Sequence, residues 1–134
     1  MKTSNEIAPW GMHSASFWMV FLVAAGIIFV GLRFLVSPDA GAAGFGVPFS
    51  SAGDVPFGWI KGIRDVFSGL VLLPLLLRRM RQAAAYVFTA AIIIPATDCL
   101  IVFAHNGLDL PHMLVHGLTA VYMVVTSVLL FRGR

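Results

Sequence analysis

Arg33, Lys61, Arg64, Asp65 and Asp98, with His112 and His116, stand in stretches of sequence as apolar as a membrane span. A charge at mid-bilayer costs about 2.5–3.5 kcal/mol even on lenient insertion scales, so these groups must pair, hydrate or bind something. Arg33, Lys61 and Arg64 can donate to a phosphate, a carboxylate or a quinone carbonyl, the arginines as planar forks and the lysine as a point charge. Asp65 can orient those donors. Asp98 and His116 are a carboxylate and an imidazole, the combination that serves as a general acid–base pair. His112 and His116 have the i, i+4 spacing that can set two imidazoles on one metal, with His105 and Asp98 available to complete the set. The cations nearby oppose a divalent ion, so no metal is expected. Two histidines on one helix also cannot bracket a porphyrin. Cys99 is the only cysteine, which excludes an intramolecular disulfide and a CxxC redox motif. Neither it nor the serines have a convincing base, and no nucleophile constellation follows.

The elements that must position these groups are membrane spans. Of 134 residues, 59% are hydrophobic and 11% charged, the mean hydropathy is +0.91, and soluble domains carry about 25% charged residues. Apolar runs cover 14–36, 57–77, 83–103 and 110–131, each near the ~20 residues that cross a bilayer. The connections 78–82 and 104–109 are short enough to force antiparallel neighbours. The expectation is an all-α polytopic membrane protein, one domain over 1–134, built as an antiparallel four-transmembrane-helix bundle in the cell's inner membrane. The spans leave no room for a nucleic-acid module, so the net charge of +3 does not speak for a nucleic-acid partner. Ala40-Gly41-Ala42 resembles a signal-peptide cleavage site, yet the preceding run is too long and Arg33 interrupts its end, so an uncleaved first span is expected.

Lys2, Arg78, Arg79, Arg81, Arg132 and Arg134 fall on one side, whereas the loops 37–56 and 104–109 hold Asp39, Asp54 and Asp109 and no basic residue. The basic bias predicts both termini in the cytoplasm. The intramembrane charges then lie within roughly 10 Å of the outer boundary. On the second span Lys61, Arg64, Asp65 and Ser68 share an arc of about 100°. Gly62 and Gly69 flank that arc and permit a close helix approach. His112, His116, Thr119, Met123, Thr126 and Ser127 form one stripe of the fourth span. Pro95 should bend the third span near Asp98. The loop 37–56 is long and carries Phe45, Val47 and Phe49, so it is read as a lid folding back over the bundle mouth.

GLRFLVSP at 31–38, GFGVP at 44–48, KGIRDVFSG at 61–69, Asp98 and HGLTAVYM at 116–123 resemble a family of small bacterial and fungal integral membrane proteins catalogued as a domain of unknown function. The resemblance runs from about Gly26 onward. It implies a four-span fold and a preference for these polar positions, and it supplies no activity.

Three cations against two carboxylates leave the expected cluster positive by one. The leading reading is therefore a pocket near the outer leaflet for a small amphipathic or anionic ligand, such as a lipid, isoprenoid or quinone. Arg33, Lys61, Arg64, Asp65, Ser68, Asp98, His116 and Thr119 would line it. Three other readings stay open. One is a membrane-embedded enzyme of isomerase, cyclase or hydratase type with Asp98 and His116 catalytic; another is a proton-coupled transporter. The third is an ion-pair network that only fixes helix register. A homo-oligomer is compatible with each, and the sequence names no cofactor.

Overall fold

The computed structural model describes residues 9–134, so Lys2 lies outside the described residues. The elements are α1 (Ala15–Val36), α2 (Pro38–Phe45), a 3-10 turn (Ala52–Asp54), α3 (Val55–Leu77), α4 (Arg81–Ala91), α5 (Ile93–Asn106) and α6 (Leu110–Arg132), with no strand among the described residues. Three stretches are long and apolar enough to cross a membrane: α1, α4 with α5 over Arg81–Asn106, and α6. Their outward side chains are large and apolar, Phe29, Leu100 and Leu118 among them. A water-soluble monomer does not display such a surface; the protein is a membrane protein. α3 has the length, 23 residues, but concentrates Lys61, Arg64 and Asp65 in its first half.

α1 and α3 make the most extensive helix pair. The buried stripe of α3 is Gly58, Gly62, Asp65, Gly69, Leu72 and Leu76, spaced alternately four and three as in a coiled-coil seam. A Cβ placed on Gly31 would lie 2.6 Å from the Gly62 carbonyl oxygen, and one on Gly69 would lie 2.6 Å from the Ala24 carbonyl oxygen. Only hydrogen fits at these crossings, so the glycines set the distance between the helices. The pairing of 31 with 62 and 24 with 69 makes the helices antiparallel.

α4 and α5 are one apolar stretch broken at Ile92. Pro95 has no N–H to offer the Ala91 carbonyl, and its ring crowds that carbonyl. The chain answers with a tighter bond from Ile92 N to Thr89 O at 3.2 Å. The helix expected to bend at Pro95 is thus interrupted three residues before the proline.

The segment 37–56 is more structured than an open loop. Pro38 and Asp39 occupy the first turn of α2, and Gly46, at φ 103°, closes it in the left-handed conformation. In the 3-10 turn the Asp54 carboxylate accepts bonds from Ser50 N, Ser50 Oγ and Ser51 N at 2.9–3.0 Å. The Ser50 hydroxyl, then the Ser51 and Ser50 amides, hold that carboxyl below its usual range.

At the opposite end Trp10 donates to Ser16 Oγ, Ser16 donates to the Arg134 carbonyl, and Arg81 donates to the Leu130 carbonyl. The apolar core lies in this half, with Val20, Leu72, Ala84, Phe88, Met123 and Leu130 buried together. The molecule therefore has a tightly filled arginine end and an opposite end, the one expected to carry a lid, where Phe45 of α2 lies beside Lys61.

Candidate functional site

The site grows from one turn of α3. Asp65 lies on the buried seam, and Lys61, one turn earlier, reaches back to it: Nζ is 3.0 Å from Oδ2 and 3.3 Å from Oδ1. The Lys61 ammonium also lies 5.4 Å from the Phe34 ring centroid and 4.9 Å from that of Phe45, within cation–π range. Phe45 ends α2, and its ring tilts against the His116 imidazole at 4.6 Å. His116 Nε2–H donates to the Phe45 carbonyl at 3.0 Å, one of the carbonyls a helix C-terminus leaves without an intrahelical partner. A carbonyl only accepts, so His116 carries a proton on Nε2. Asp98 on α5 is half-buried.

The turn from α5 to α6 fastens α2 in place. Asn106 Nδ2 donates to the Gly46 carbonyl and, at 2.9 Å, to Asp109 Oδ2. His112 Nδ1–H donates to the same carboxylate oxygen at 2.8 Å. The His112 bond, with help from Asn106, keeps the Asp109 carboxyl below its usual range. The His112 side chain covers Gly46 so closely that a Cβ there would meet it at 2.8 Å. Between α1, α2, α3 and residues 46–51 remains a pocket of about 170 Å³. Phe34, Ala42, Phe45, Val47, Phe49 and Phe57 line it, and Lys61 is the one charged residue at its edge.

Of the residues singled out from sequence, the fold gathers Lys61, Asp65 and His116 around Phe45, while Asp98 forms no ion pair or side-chain hydrogen bond among the described residues. It does not bring Arg33 or Arg64 to them. Arg33 is exposed and runs over Gly44, whose Cβ would lie 3.1 Å from Nη1. Arg64 is exposed as well; at 100° per residue it sits about 120° from the centre of the glycine seam, whereas Asp65 sits on it. Ser68 donates to the Arg64 carbonyl, and the exposed Thr119 donates to the Val115 carbonyl at 2.7 Å, so both hydroxyls serve their own helices. His105 is exposed. Cys99 is a spacer between α5 and α6, with Sγ 3.5 Å from the Met113 carbonyl. Among the described residues no three His, Cys, Asp or Glu side chains are grouped to hold a metal.

The charge balance changes with the membership. The paired groups are one ammonium and one carboxylate, Lys61 and Asp65, so without Arg33 and Arg64 the site lacks the positive excess expected for an anion. Sequence reasoning missed Phe34 and Asn106. Phe34 is one apolar residue among many in α1, and Asn106 stands before Gly107, where Asn-Gly reads as nothing more than a turn.

No curated protein and no solved structure matches the chain. Residues 24–130 match a family model; they contain α2, α3, α4 and α5, more than half of α1 and nearly all of α6, and so every residue of the site. The chain belongs to the family described as domain of unknown function DUF4267.

Proposed function

We propose that this is a four-span protein of the cell's inner membrane, with both termini in the cytoplasm, that holds the head of a small amphipathic molecule in the pocket beneath α2. The fourth span is α3: its 23 residues reach about 34 Å at 1.5 Å per residue, and of its charges Asp65 is buried and Lys61 lies against Phe34 and Phe45. The orientation rests on Arg78, Arg79, Arg81, Arg132 and Arg134 at one end, against aspartates at the other.

The observation that carries the reading is the pocket itself, about 170 Å³ with aromatic walls and a single charged group. An apolar cavity of about 150 Å³ accepts benzene, so the space suits one six-membered ring. Lys61 directs its ammonium to the two Asp65 oxygens, and an ammonium has three donors. One N–H is left for an acceptor on the ring. With the ammonium already neutralised by the Asp65 carboxylate, a neutral carbonyl or hydroxyl fits better than an anion. A quinone, or an isoprenoid or other lipid with a ring or small polar head, meets these terms. Its tail would leave past Phe57, which is 67% exposed. Acid–base chemistry by Asp98 and His116 draws less support, because His116 commits its Nε2–H to the Phe45 carbonyl.

Titration of the protein in nanodiscs with a short-chain benzoquinone and with an isoprenyl alcohol, read by calorimetry, tests the reading. Phe45→Ala should weaken both probes. Lys61→Met should weaken the benzoquinone about 10- to 100-fold, the worth of a hydrogen bond from a charged donor. Failure of both probes to bind, with no lipid-like molecule retained in native mass spectra, refutes it.

A further inference from the structure

The arginine end has a chemistry of its own, independent of the pocket beneath α2. The described carboxylate side chains are Asp39, Asp54, Asp65, Asp98 and Asp109, and every one lies toward the lid end. Arg78, Arg79 and Arg81 occupy the turn between α3 and α4, and Arg132 and Arg134 the end of α6. The fold unites the two groups. Arg81 donates to the Leu130 carbonyl and lies against Gly133, whose Cβ would be 3.5 Å from Nη1. Arg79 lies across Gly11 in a left-handed backbone conformation, φ 55°, rare for a residue with a Cβ. That reversal starts α4 almost directly after α3 and keeps three arginines within four positions. Among the described residues no acidic side chain pairs with any of them.

Beside these arginines is a groove of about 520 Å³ lined by Met80, Arg81, Gln82, Ala83 and Tyr86. It is shallow and formed by one short stretch of chain. Gln82 carries amide donors, Arg81 has guanidinium N–H groups beyond the one bonded to the Leu130 carbonyl, and Met80, Ala83 and Tyr86 supply apolar surface. Tyr86 stacks edge-on against Phe131 at 5.5 Å, and both rings are exposed on the side that faces lipid. Tyrosine is characteristic of the level where acyl chains meet headgroups. A ligand that satisfies this groove has a compact anionic head, acceptor oxygens for a fork of donors, and an apolar chain beside it.

We infer that the groove at the α3–α4 turn is a binding site for the phosphodiester head of an anionic phospholipid, with an acyl chain laid along Tyr86 and Phe131. Arginine suits the phosphodiester because its planar fork gives paired bonds to two oxygens. Arg79, Arg132 and Arg134 add attraction from the rim. The site would fix the depth of the arginine end in a leaflet rich in anionic lipid, whatever occupies the other pocket.

The test uses the full chain in nanodiscs of mixed phosphatidylcholine and phosphatidylglycerol, with the lipids retained after release counted by native mass spectrometry. The wild type should retain phosphatidylglycerol in preference to phosphatidylcholine. Arg79→Gln with Arg132→Gln should lower that preference about five-fold per arginine removed, equivalent to ~1 kcal/mol per basic residue at an anionic surface. Lys61→Met should leave it unchanged, which separates this site from the pocket beneath α2. If the double variant fails to fold, Arg132→Gln alone, on an exposed side chain of the last turn of α6, carries the same test. Equal retention of the two lipids, or a preference that survives the substitutions, overturns the inference. So does equal stabilisation of the protein by inorganic phosphate alone, which would mark a free-anion site.

Discussion

Two glycines of α1, five residues apart, should respond in opposite ways to the same added methyl. At Gly31 a Cβ would meet the Gly62 carbonyl oxygen at 2.6 Å, the Val66 amide nitrogen at 2.7 Å and Val66 Cγ2 at 2.8 Å. Two of these neighbours are backbone atoms and cannot swing aside, so Gly31→Ala has to push α1 and α3 apart. Overfilling of this kind costs about 1–3 kcal/mol. The gain in helix propensity, at most about 1 kcal/mol, offsets little of it, because helices separated in a membrane remain helical. At Gly26 a Cβ meets nothing within 4 Å, so Gly26→Ala keeps the gain without the clash. The expected outcome is a melting temperature lowered by several degrees for Gly31→Ala and unchanged or slightly raised for Gly26→Ala, read by intrinsic fluorescence in detergent. Gly62→Ala should resemble Gly31→Ala, since its Cβ would lie 2.8 Å from the Gly31 carbonyl oxygen. The double variant should cost less than the sum, as one separation of the helices relieves both contacts. Equal melting temperatures for Gly31→Ala and Gly26→Ala would refute the close α1–α3 crossing.

Three further outcomes bear on the lid end. Asn106→Ala removes the bond to the Gly46 carbonyl, worth about 0.5–1.5 kcal/mol, so amide exchange at Gly46 and Val47 should quicken by up to about ten-fold while α1 and α3 are unaffected; an unchanged rate would show that Asn106 does not hold α2. Because the His112 bond depresses the Asp109 carboxyl, its contribution is complete above the ordinary value of 3.8 and is lost as pH falls through the lower folded value. Stability in chemical denaturation should therefore keep the Asp109 contribution down to the ordinary carboxylate range and lose it only at lower pH, and Asp109→Asn should remove that acid limb. Lys61→Met leaves Asp65 on the buried seam without its cation; removing one partner of a fully buried pair costs about 3–5 kcal/mol, and the 28% exposure of Lys61 brings the expectation to about 1–3 kcal/mol. Lys61→Met with Asp65→Leu should recover most of that loss in chemical denaturation, and a double variant as unstable as the single would contradict the pairing.

The long helices were legible from sequence because a membrane leaves few ways to satisfy a backbone: an apolar run of about twenty residues is a helix or nothing. Helix limits moved by at most three residues, from 57 to Val55 and from 83 to Arg81 at two starts, and three of the four expected spans are long and apolar enough to cross a membrane. Pro95 announced the break between α4 and α5, since the missing N–H is a property of the residue itself. Gly62 and Gly69 likewise marked the face that α1 approaches. Harder to read was which charges share a site. Lys61, Arg64, Asp65 and Ser68 occupy one arc of α3, yet the seam is centred on the glycines at its margin, so Arg64 is carried out and Asp65 in. The periodicity of a helix fixes the angles between residues, but the origin of those angles depends on the neighbouring helix.

The sequence by itself thus determined a helical membrane protein, a basic end, an acidic end, and the need to shelter the charges within the spans. Tertiary structure decided who shelters them. Phe34 from α1, Phe45 from α2 and His116 from α6 meet around Lys61, although positions 34 and 116 are 82 residues apart. It also removed the positive excess from the site by leaving Arg33 and Arg64 outside. Hydropathy and spacing are properties of one segment in its solvent, and a chain states them directly. The company a side chain keeps is settled by how closely two glycine-lined helices can approach, which no segment states alone.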